Sequence, residues 1–529
     1  LELVAPAEAG PTQKLVAGLD VEPQLFDARV DGRASTELGL PGKPAPDYFL
    51  AACEQLRATP ERSLVVEDAV SGVRAGTRAN FGLVLGIARE QNHGDLYAAG
   101  ADRVVADLGE IDASALDDWF RSDLADSTWT LRYEGLDPAD EAKRETLCTV
   151  GNGYLATRGA LEDCDGCPAS YPGTYLAGVY DRLESEVAGR TIENEDLVNA
   201  PNWLPLSFRV DDGPWVDLTT VTTIVLRRAL DLRTGVLSRK LVVRDAEGRE
   251  TAVVSERLAS MAEPHLAAMR YRLTPLNYSA TISFRSRLDG EVDNHGVARY
   301  RELNSRHLEP TTTWGAGADA AIGVRTRQSR IEIAVAASLR VSRNGRTIEP
   351  RFSAHIEPAR VTTELDVEGE LGDSIVVDKL VAMYTSRDPE PEPLAAARSL
   401  LHRTESYPRV ASASAKQWAK LWSEWDVRIE GDRRSQLLLR LHAYHLLCTA
   451  SPHNVALDAS IGARGLHGEA YRGHVFWDVS FVLPLYSMHL PEVARALLMY
   501  RVRRLPEAQR AAAAEGLPGA MLPLSLIHI

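Results

Sequence analysis

Gly465-Leu466-His467-Gly468-Glu469-Ala470-Tyr471-Arg472-Gly473-His474-Val475-Phe476-Trp477-Asp478 is the most informative stretch of the chain. Three glycines punctuate a loop that gathers His467, Glu469, Tyr471, Arg472, His474, Trp477 and Asp478 before an apolar helical run over 481–490. An aromatic ring beside a carboxylate suits a sugar: the ring covers the apolar C–H face of a pyranose, and the carboxylate accepts from its hydroxyls. The same composition also describes a polar loop capping a core helix. Taken alone, the residues leave both readings open.

Outward from this loop, the hydrophobic period changes twice. From about 391 it is helical. Trp418, Trp422 and Trp425 share one helical face, a spacing more typical of core than of a sugar platform, and 437–447 reads as an apolar helix with Asp432 as its N-cap. Over 126–390 the pattern is β. Strands are expected at 207–210, 222–226, 240–243, 281–285, 331–336 and 374–381, separated by Asp-Gly, Asn-Gly and Glu-Gly turns, which points to a sandwich. The acidic, proline-bearing segment 387–393 is the expected joint. Residues 1–125 alternate short strands (64–66, 83–86, 103–105) with helical stretches such as 47–56, the rhythm of an α/β sheet. No internal repeat is visible, and the alanines at 511–514 read simply as helix.

A length of 529 residues accommodates about three domains. A net charge of −15 argues against nucleic acid, whose phosphates require a basic surface. No apolar run is long enough to cross a bilayer as a helix, so no membrane partner is expected. Five cysteines are too few for a disulfide scaffold, and Cys164-x-x-Cys167 has no second pair with which to build a zinc site. No signal peptide is seen, which favours a cytoplasmic location.

Two stretches near the amino terminus carry phosphate chemistry. Gly42-Lys43-Pro44-Ala45-Pro46-Asp47 and Val65-Val66-Glu67-Asp68-Ala69-Val70-Ser71-Gly72-Val73-Arg74-Ala75-Gly76 resemble the third and fourth motifs of the haloacid-dehalogenase superfamily, in its β-phosphoglucomutase flavour. Lys43 would offset the charge of a phosphate, and Glu67 and Asp68, at a strand end, would supply hard oxygens for Mg²⁺. The superfamily's nucleophile, the first Asp of Asp-x-Asp, is not found upstream: Asp20, Asp27 and Asp31 do not fit, and Asp163-x-Asp165 lies in another domain. The hydroxyl of its second motif is also missing, since Val4-Ala5-Pro6-Ala7 stands in its place. Without a nucleophile this region has no covalent step.

From Trp129 to Met521 the chain resembles glycoside hydrolase family 65, the maltose, trehalose and kojibiose phosphorylases and their hydrolase relatives. The resemblance rests on Gly151-Asn152-Gly153-Tyr154, Thr157-Arg158-Gly159, Pro172-Gly173-Thr174-Tyr175, 193–199, 201–205 and the loop 465–478. It implies a β-sandwich over 126–390 and the first helices of an (α/α)₆ barrel over 391–521, after a partial haloacid-dehalogenase-like domain over 1–125. It also implies that Trp477 and Asp478 hold the reacting glucose, that His474, Arg472 and Glu469 line or brace that pocket, and that Arg464 and His467 order the loop. The reaction implied is inverting phosphorolysis of an α-glucosidic disaccharide to β-glucose 1-phosphate, with inorganic phosphate as co-substrate and no cofactor. The mutase-like domain would then convert that product to glucose 6-phosphate. A homodimer is the assembly entertained. Val479-Ser480 replaces the Thr-Glu of maltose-type members, which leaves trehalose-type substrates equally open.

The family's proton-donating glutamate is expected beyond residue 529, so no catalytic residue is assigned. Residues 522–529 read as a foreign tail, and the chain as a piece of a longer protein whose segment 393–521 would aggregate alone. Three alternatives remain: a trehalase-like hydrolase, a phosphatase of a sugar phosphate such as trehalose 6-phosphate, and an inactive sugar-binding relative.

Overall fold

The computed structural model describes residues 2–6, 15–17, 28, 30, 37–60, 63–79, 81–89, 92, 95–96, 99–110, 128–163, 170–300, 302–429 and 433–521. Asp20, Asp27, Asp31, Cys164, Asp165, Cys167, Asp432 and the tail 522–529 lie outside them. The chain divides into two compact units, Leu1–Trp129 and Thr130–Ile529.

In the first unit a five-stranded sheet runs in the order Leu15–Ala17, Glu2–Pro6, Ser63–Glu67, Leu83–Ile87, Arg103–Val105. The last three strands are parallel, and the first two pair antiparallel. Val65 and Val84 pack with Phe49 and Cys53 of helix Asp47–Leu56 and with Val73 of helix Val70–Arg78. The continuous apolar runs of these strands match a sheet buried by helices.

The second unit is built on antiparallel sheets. A ten-stranded sheet includes Thr222–Asp231, Val236–Arg244, Glu250–Ala259, Leu266–Pro275, Ile375–Thr385 and Glu332–Arg343 as neighbours in that order. A four-stranded sheet runs Leu206–Val210, Ala280–Asp289, Arg360–Gly369, Phe352–Glu357. Phe208, Ile282 and Phe284 of the smaller sheet share one core with Leu241, Val253, Tyr271, Val335 and Val377 of the larger. That shared core makes the pair a sandwich. A third sheet joins Arg190–Ala200, Thr174–Val187, Leu155–Thr157 and Val150–Gly151. All six strand expectations overlap observed strands. Most strands are longer than read, because alternation continues through outward-facing arginines such as Arg227.

Helices follow the sandwich: Pro393–Arg403, Tyr407–Trp425, Arg433–Thr449, Val479–His489, Pro491–Arg503 and Leu505–Ala514. Trp418, Trp422 and Trp425 are buried, and Trp422 Nε1 donates to Leu232 O at 2.8 Å, so the tryptophan face is core as expected. No helix among the described residues is long and apolar enough to cross a membrane.

Asp388 fixes the joint between sandwich and helices. Its carboxylate accepts from the Tyr154 hydroxyl, from Thr385 N (2.7 Å) and from Thr385 Oγ1 (3.1 Å), and it pairs with His265 Nε2 at 3.3 Å. His265 Nδ1 lies 3.3 Å from Glu263, and its ring stacks on Tyr384 at 3.8 Å. Burial would raise the Asp388 pKa, but hydrogen bonds from His265 and Tyr154 bring it below the usual range. For His265, burial acts downward and is outweighed by its bonds to Asp388 and Glu263, so its pKa is raised. The two shifts act in opposite directions with pH. The ionised Asp388 stabilises the fold above the ordinary carboxylate pKa, an effect lost on acidification; the protonated His265 stabilises it below the ordinary imidazole pKa, an effect lost as pH rises. Replacing His265→Gln is therefore expected to cost about 1 kcal/mol near pH 5–6, and progressively less above about pH 7. Urea unfolding of both proteins across that range measures the difference.

Candidate functional site

A cleft of ≈ 760 Å³ lies where the signature loop, helix Arg433–Thr449 and the sandwich edge meet. Arg158, Tyr171, Tyr175, His442, His445, Arg464, His467, Glu469 and Asp478 contribute to its lining. The loop reaches it through a left-handed turn. Tyr471 and Arg472 have φ of 57° and 56°, and Gly473 follows at 67°. At Gly473 a Cβ would lie 2.4 Å from Leu197 Cβ, so only glycine fits.

Glu469 is buried in the cleft wall and held from the sandwich side. Oε1 accepts from the hydroxyls of Tyr171 and Tyr175 (3.1 Å for Tyr175), and Oε2 accepts from Gly296 N at 2.9 Å. Burial raises its pKa, although these donors and His295 act in the opposite direction. Asp478 is exposed, lines the cleft and sits at the start of helix Val479–His489.

The other residues of the signature are placed differently. His474 is buried with Nε2 donating to Glu195 O at 2.9 Å, a brace to the sandwich strand Arg190–Ala200. Arg472 stacks on Tyr300 at 5.2 Å. Trp477 is 50% exposed, lies against Phe481 at 5.1 Å, and is not among the residues lining the cleft. Arg464 and His467 do line it, and His467 also orders the loop by donating from Nδ1 to Arg464 O at 3.1 Å. Sequence reasoning did not single out Tyr171, His442 or His445, and it read Tyr175 and Arg158 as structural. The available signal was polar residues, His442 and His445, inside an otherwise apolar helix.

Arg158 ties the wall together. It donates to Ala142 O (2.9 Å), Thr146 Oγ1 (2.7 Å), Tyr171 O (3.0 Å) and His467 O (3.0 Å), and it pairs with Glu145 at 3.3 Å.

The first unit brings Lys43 and Glu67 together, with Nζ 2.6 Å from Oε1. Burial raises the Glu67 pKa against the pull of Lys43. Gly72 leaves the carboxylate its space, since a Cβ there would come within 2.1 Å of it. Asp68 is half-buried and paired with Arg89 at 2.9 Å. Among the described residues no three potential metal ligands cluster; Glu67 and Asp68 are hard oxygen donors of the kind Mg²⁺ takes, here paired with Lys43 and Arg89.

Comparison with known proteins defines the class. Residues 131–421 match the N-terminal domain of glycosyl hydrolase family 65, residues 440–528 its central catalytic domain, and residues 9–80 the haloacid dehalogenase-like hydrolases. The chain belongs to glycosyl hydrolase family 65, with a haloacid-dehalogenase-like segment before it. It is 41% identical over 470 residues to an uncharacterized glycosyl hydrolase of Mycobacterium tuberculosis, covering 87% of this chain and 34% of that protein. It is 34% identical to the kojibiose phosphorylase of Caldanaerobacter subterraneus (76% of this chain, 51% of that protein). It is 32% identical to the trehalose 6-phosphate phosphorylase of Lactococcus lactis (76% and 50%). A solved human-microbiome protein, provisionally assigned as a kojibiose phosphorylase, shares the fold at a TM-score of 0.66 and 20% identity over 75% of this chain and 52% of its own. The chain thus spans about half the length of these phosphorylases and about a third of the mycobacterial protein.

Glu469→Gln preserves shape but replaces one acceptor oxygen by a donor. An amide NH2 turned toward Gly296 N–H meets another donor, and one turned toward the tyrosines makes their hydroxyls accept and removes the charge-assisted bonds to the carboxylate. A loss of about 1–3 kcal/mol is expected, read as a lower midpoint in chemical denaturation.

Proposed function

We propose that the second unit carries the glucose-binding part of an inverting disaccharide phosphorylase acting on an α-glucosidic bond of the kojibiose, trehalose or nigerose class. The observation that carries this is the cleft itself: acceptor carboxylates at Glu469 and Asp478, hydroxyl-bearing tyrosines and the uncharged imidazole of His467 suit a polyol. Relatives with those three activities, at 28–34% identity, support the same reading. Asp478 accepts from the sugar hydroxyls, and Glu469, His474 and Arg472 brace the loop that presents it; Trp477, outside the lining, is given no sugar contact. The helices from Pro393 onward are the first of an (α/α)₆ barrel. Phosphate serves as nucleophile, so a second catalytic carboxylate is not required. No described residue is assigned as the proton donor.

The test is incubation with kojibiose, trehalose and nigerose, with and without phosphate. Glucose 1-phosphate formed only with phosphate, or glucose binding without turnover that Asp478→Ala weakens tenfold or more, supports the reading. Glucose released regardless of phosphate would favour a hydrolase.

In the first unit, Asp68 and Glu67 would hold Mg²⁺, which supplies charge neutralisation for a phosphate that Lys43 contacts. Millimolar Mg²⁺ is expected to raise the melting temperature of the wild-type chain by a degree or more, and to leave Asp68→Asn unmoved.

A further inference from the structure

Arginines and tyrosines interleave beside the cleft. The Arg299 guanidinium lies 4.9 Å from the ring of Tyr300 and 5.4 Å from that of Tyr471. Arg464 lies 5.8 Å from the same Tyr471 ring, and Arg472 lies 5.2 Å from the Tyr300 ring. Arg464 is also one of the residues lining the cleft, as are Gly296 and Val297, just before Arg299 in the chain. Arg299, Arg464 and Tyr471 are exposed and Arg472 is half-buried, so a ligand can reach the group from solvent. The backbone sets these positions. Arg299 stands in the turn Ala298–Tyr300 of a strap, residues 290–307. Asn294 Nδ2 ties the strap to Leu197 O at 2.8 Å, and Gly296 N ties it to Glu469 of the signature loop.

Among the described residues no carboxylate pairs with any of the three guanidiniums. Beyond the rings, their side-chain hydrogen bond is the one from Arg299 Nη2 to the Tyr300 hydroxyl at 2.8 Å. That is the reverse of the rest of the unit. The chain has 74 acidic side chains against 59 lysines and arginines, and elsewhere its arginines use them, as Arg158 does with Glu145 and Arg504 with Asp458. Holding the turn at Tyr471 and Arg472 needs no such concentration of positive charge: Tyr300 and Tyr471 each receive two guanidiniums. Gathering like charges costs energy that a bound oxyanion would offset. A guanidinium over a ring engages it by its face, and the N–H donors in its plane remain for a phosphate.

We infer that Arg299, Arg464 and Arg472 form a phosphate-binding rim for the ligand of this cleft, the phosphate being an ester on the sugar or the inorganic anion bound beside it. This rests on the reading of the cleft as a sugar site. Charge-assisted bonds from a guanidinium to a phosphate are among the stronger polar contacts, so a phosphorylated sugar gains over its neutral parent. The strap and the signature loop each contribute arginine, so the rim exists only where the two meet.

The experiment is calorimetry of the full chain at low salt with glucose, glucose 6-phosphate and inorganic phosphate, in EDTA so that Mg²⁺ at the first unit does not contribute. Wild type is expected to bind glucose 6-phosphate about tenfold more tightly than glucose, a preference that shrinks at high salt. Arg299→Gln and Arg464→Gln should each cut that preference severalfold, and Arg464→Lys, which keeps the charge without the planar fork, should restore part of it. If the ester gives no advantage but inorganic phosphate binds and weakens in the same two variants, the rim stands and its ligand is the free anion. A preference unchanged in both glutamine variants, or a wild type that binds neither phosphate, overturns the inference and leaves the sugar cleft standing where glucose still binds. Arginine-dependent phosphate binding by a wild type that ignores glucose keeps the rim and overturns the cleft reading. If Arg299→Gln does not fold, Arg464→Gln decides alone.

Discussion

The second unit is organised around charges that have no access to water. Arg158, Arg228, Arg239 and Arg257 are buried against Glu141, Glu145, Glu162 and Asp163, themselves buried, where the helix Glu141–Leu147 and the turn after it meet the large sheet. Arg228 donates to Glu141 at 2.7 Å, Arg257 Nη1 to Glu162 at 3.0 Å, and Arg239 bridges Glu162 (3.1 Å) and Asp163. Burial alone would raise both neighbouring carboxyls. Glu162, between two guanidiniums, is nonetheless held below the usual range; Asp163, with one guanidinium and Glu162 beside it, is raised. Such a cluster need not add net stability, because desolvation consumes most of the Coulombic gain. It is intolerant of disruption, since removing one member strands its partner's charge at about 3–5 kcal/mol. The arrangement therefore acts chiefly to fix geometry.

That geometry reaches the cleft through Arg158. The guanidinium that pairs with Glu145 also holds Tyr171 O and His467 O, while Glu145 accepts from Tyr171 N at 3.0 Å. Tyr171 in turn donates to Glu469. One ion pair thus positions a tyrosine and a histidine from two distant segments of the chain, and through the tyrosine a carboxylate. The carbonyl that fixes the tautomer of His445 belongs to Leu147, at the end of the same helix that carries Glu141 and Glu145. The polarity of the cleft wall is set in the buried charge cluster.

This explains which parts were legible in the sequence. Local periodicity located the sandwich strands, the helix Asp47–Leu56 and the buried tryptophan face, because period and burial are properties of neighbouring residues. The loop 465–478 marked itself by composition, and Glu469 and Asp478 stand in the cleft. The rest of the wall was illegible for a physical reason. Tyr171 and Glu469 are separated by 298 positions, and His445 and Leu147 by the same number, so nothing in either neighbourhood shows the partner. His445 also sits in a helix whose apolar run reads as core, and its half-buried imidazole lines the cleft from that helix.

The turn at Tyr471 and Arg472 shows what holds the loop in its working shape. Two consecutive side-chain-bearing residues in the left-handed region cost roughly 1–2 kcal/mol each, a conformation no isolated loop would keep. Four contacts oppose that cost. The Tyr180 hydroxyl donates to Gly473 O at 2.8 Å, His474 donates to Glu195 O, and Arg299 and Tyr300 clasp Tyr471 and Arg472 by stacking. Arg472 N closes the turn onto Glu469 O at 2.7 Å. His474 and Arg472 therefore act on the cleft by bending the chain between Glu469 and Asp478, and the bend persists because the sandwich is there to hold it. A loop that depends on a second domain for its conformation cannot present its carboxylates before that domain has folded against it, which couples the site to the integrity of the sandwich–helix interface.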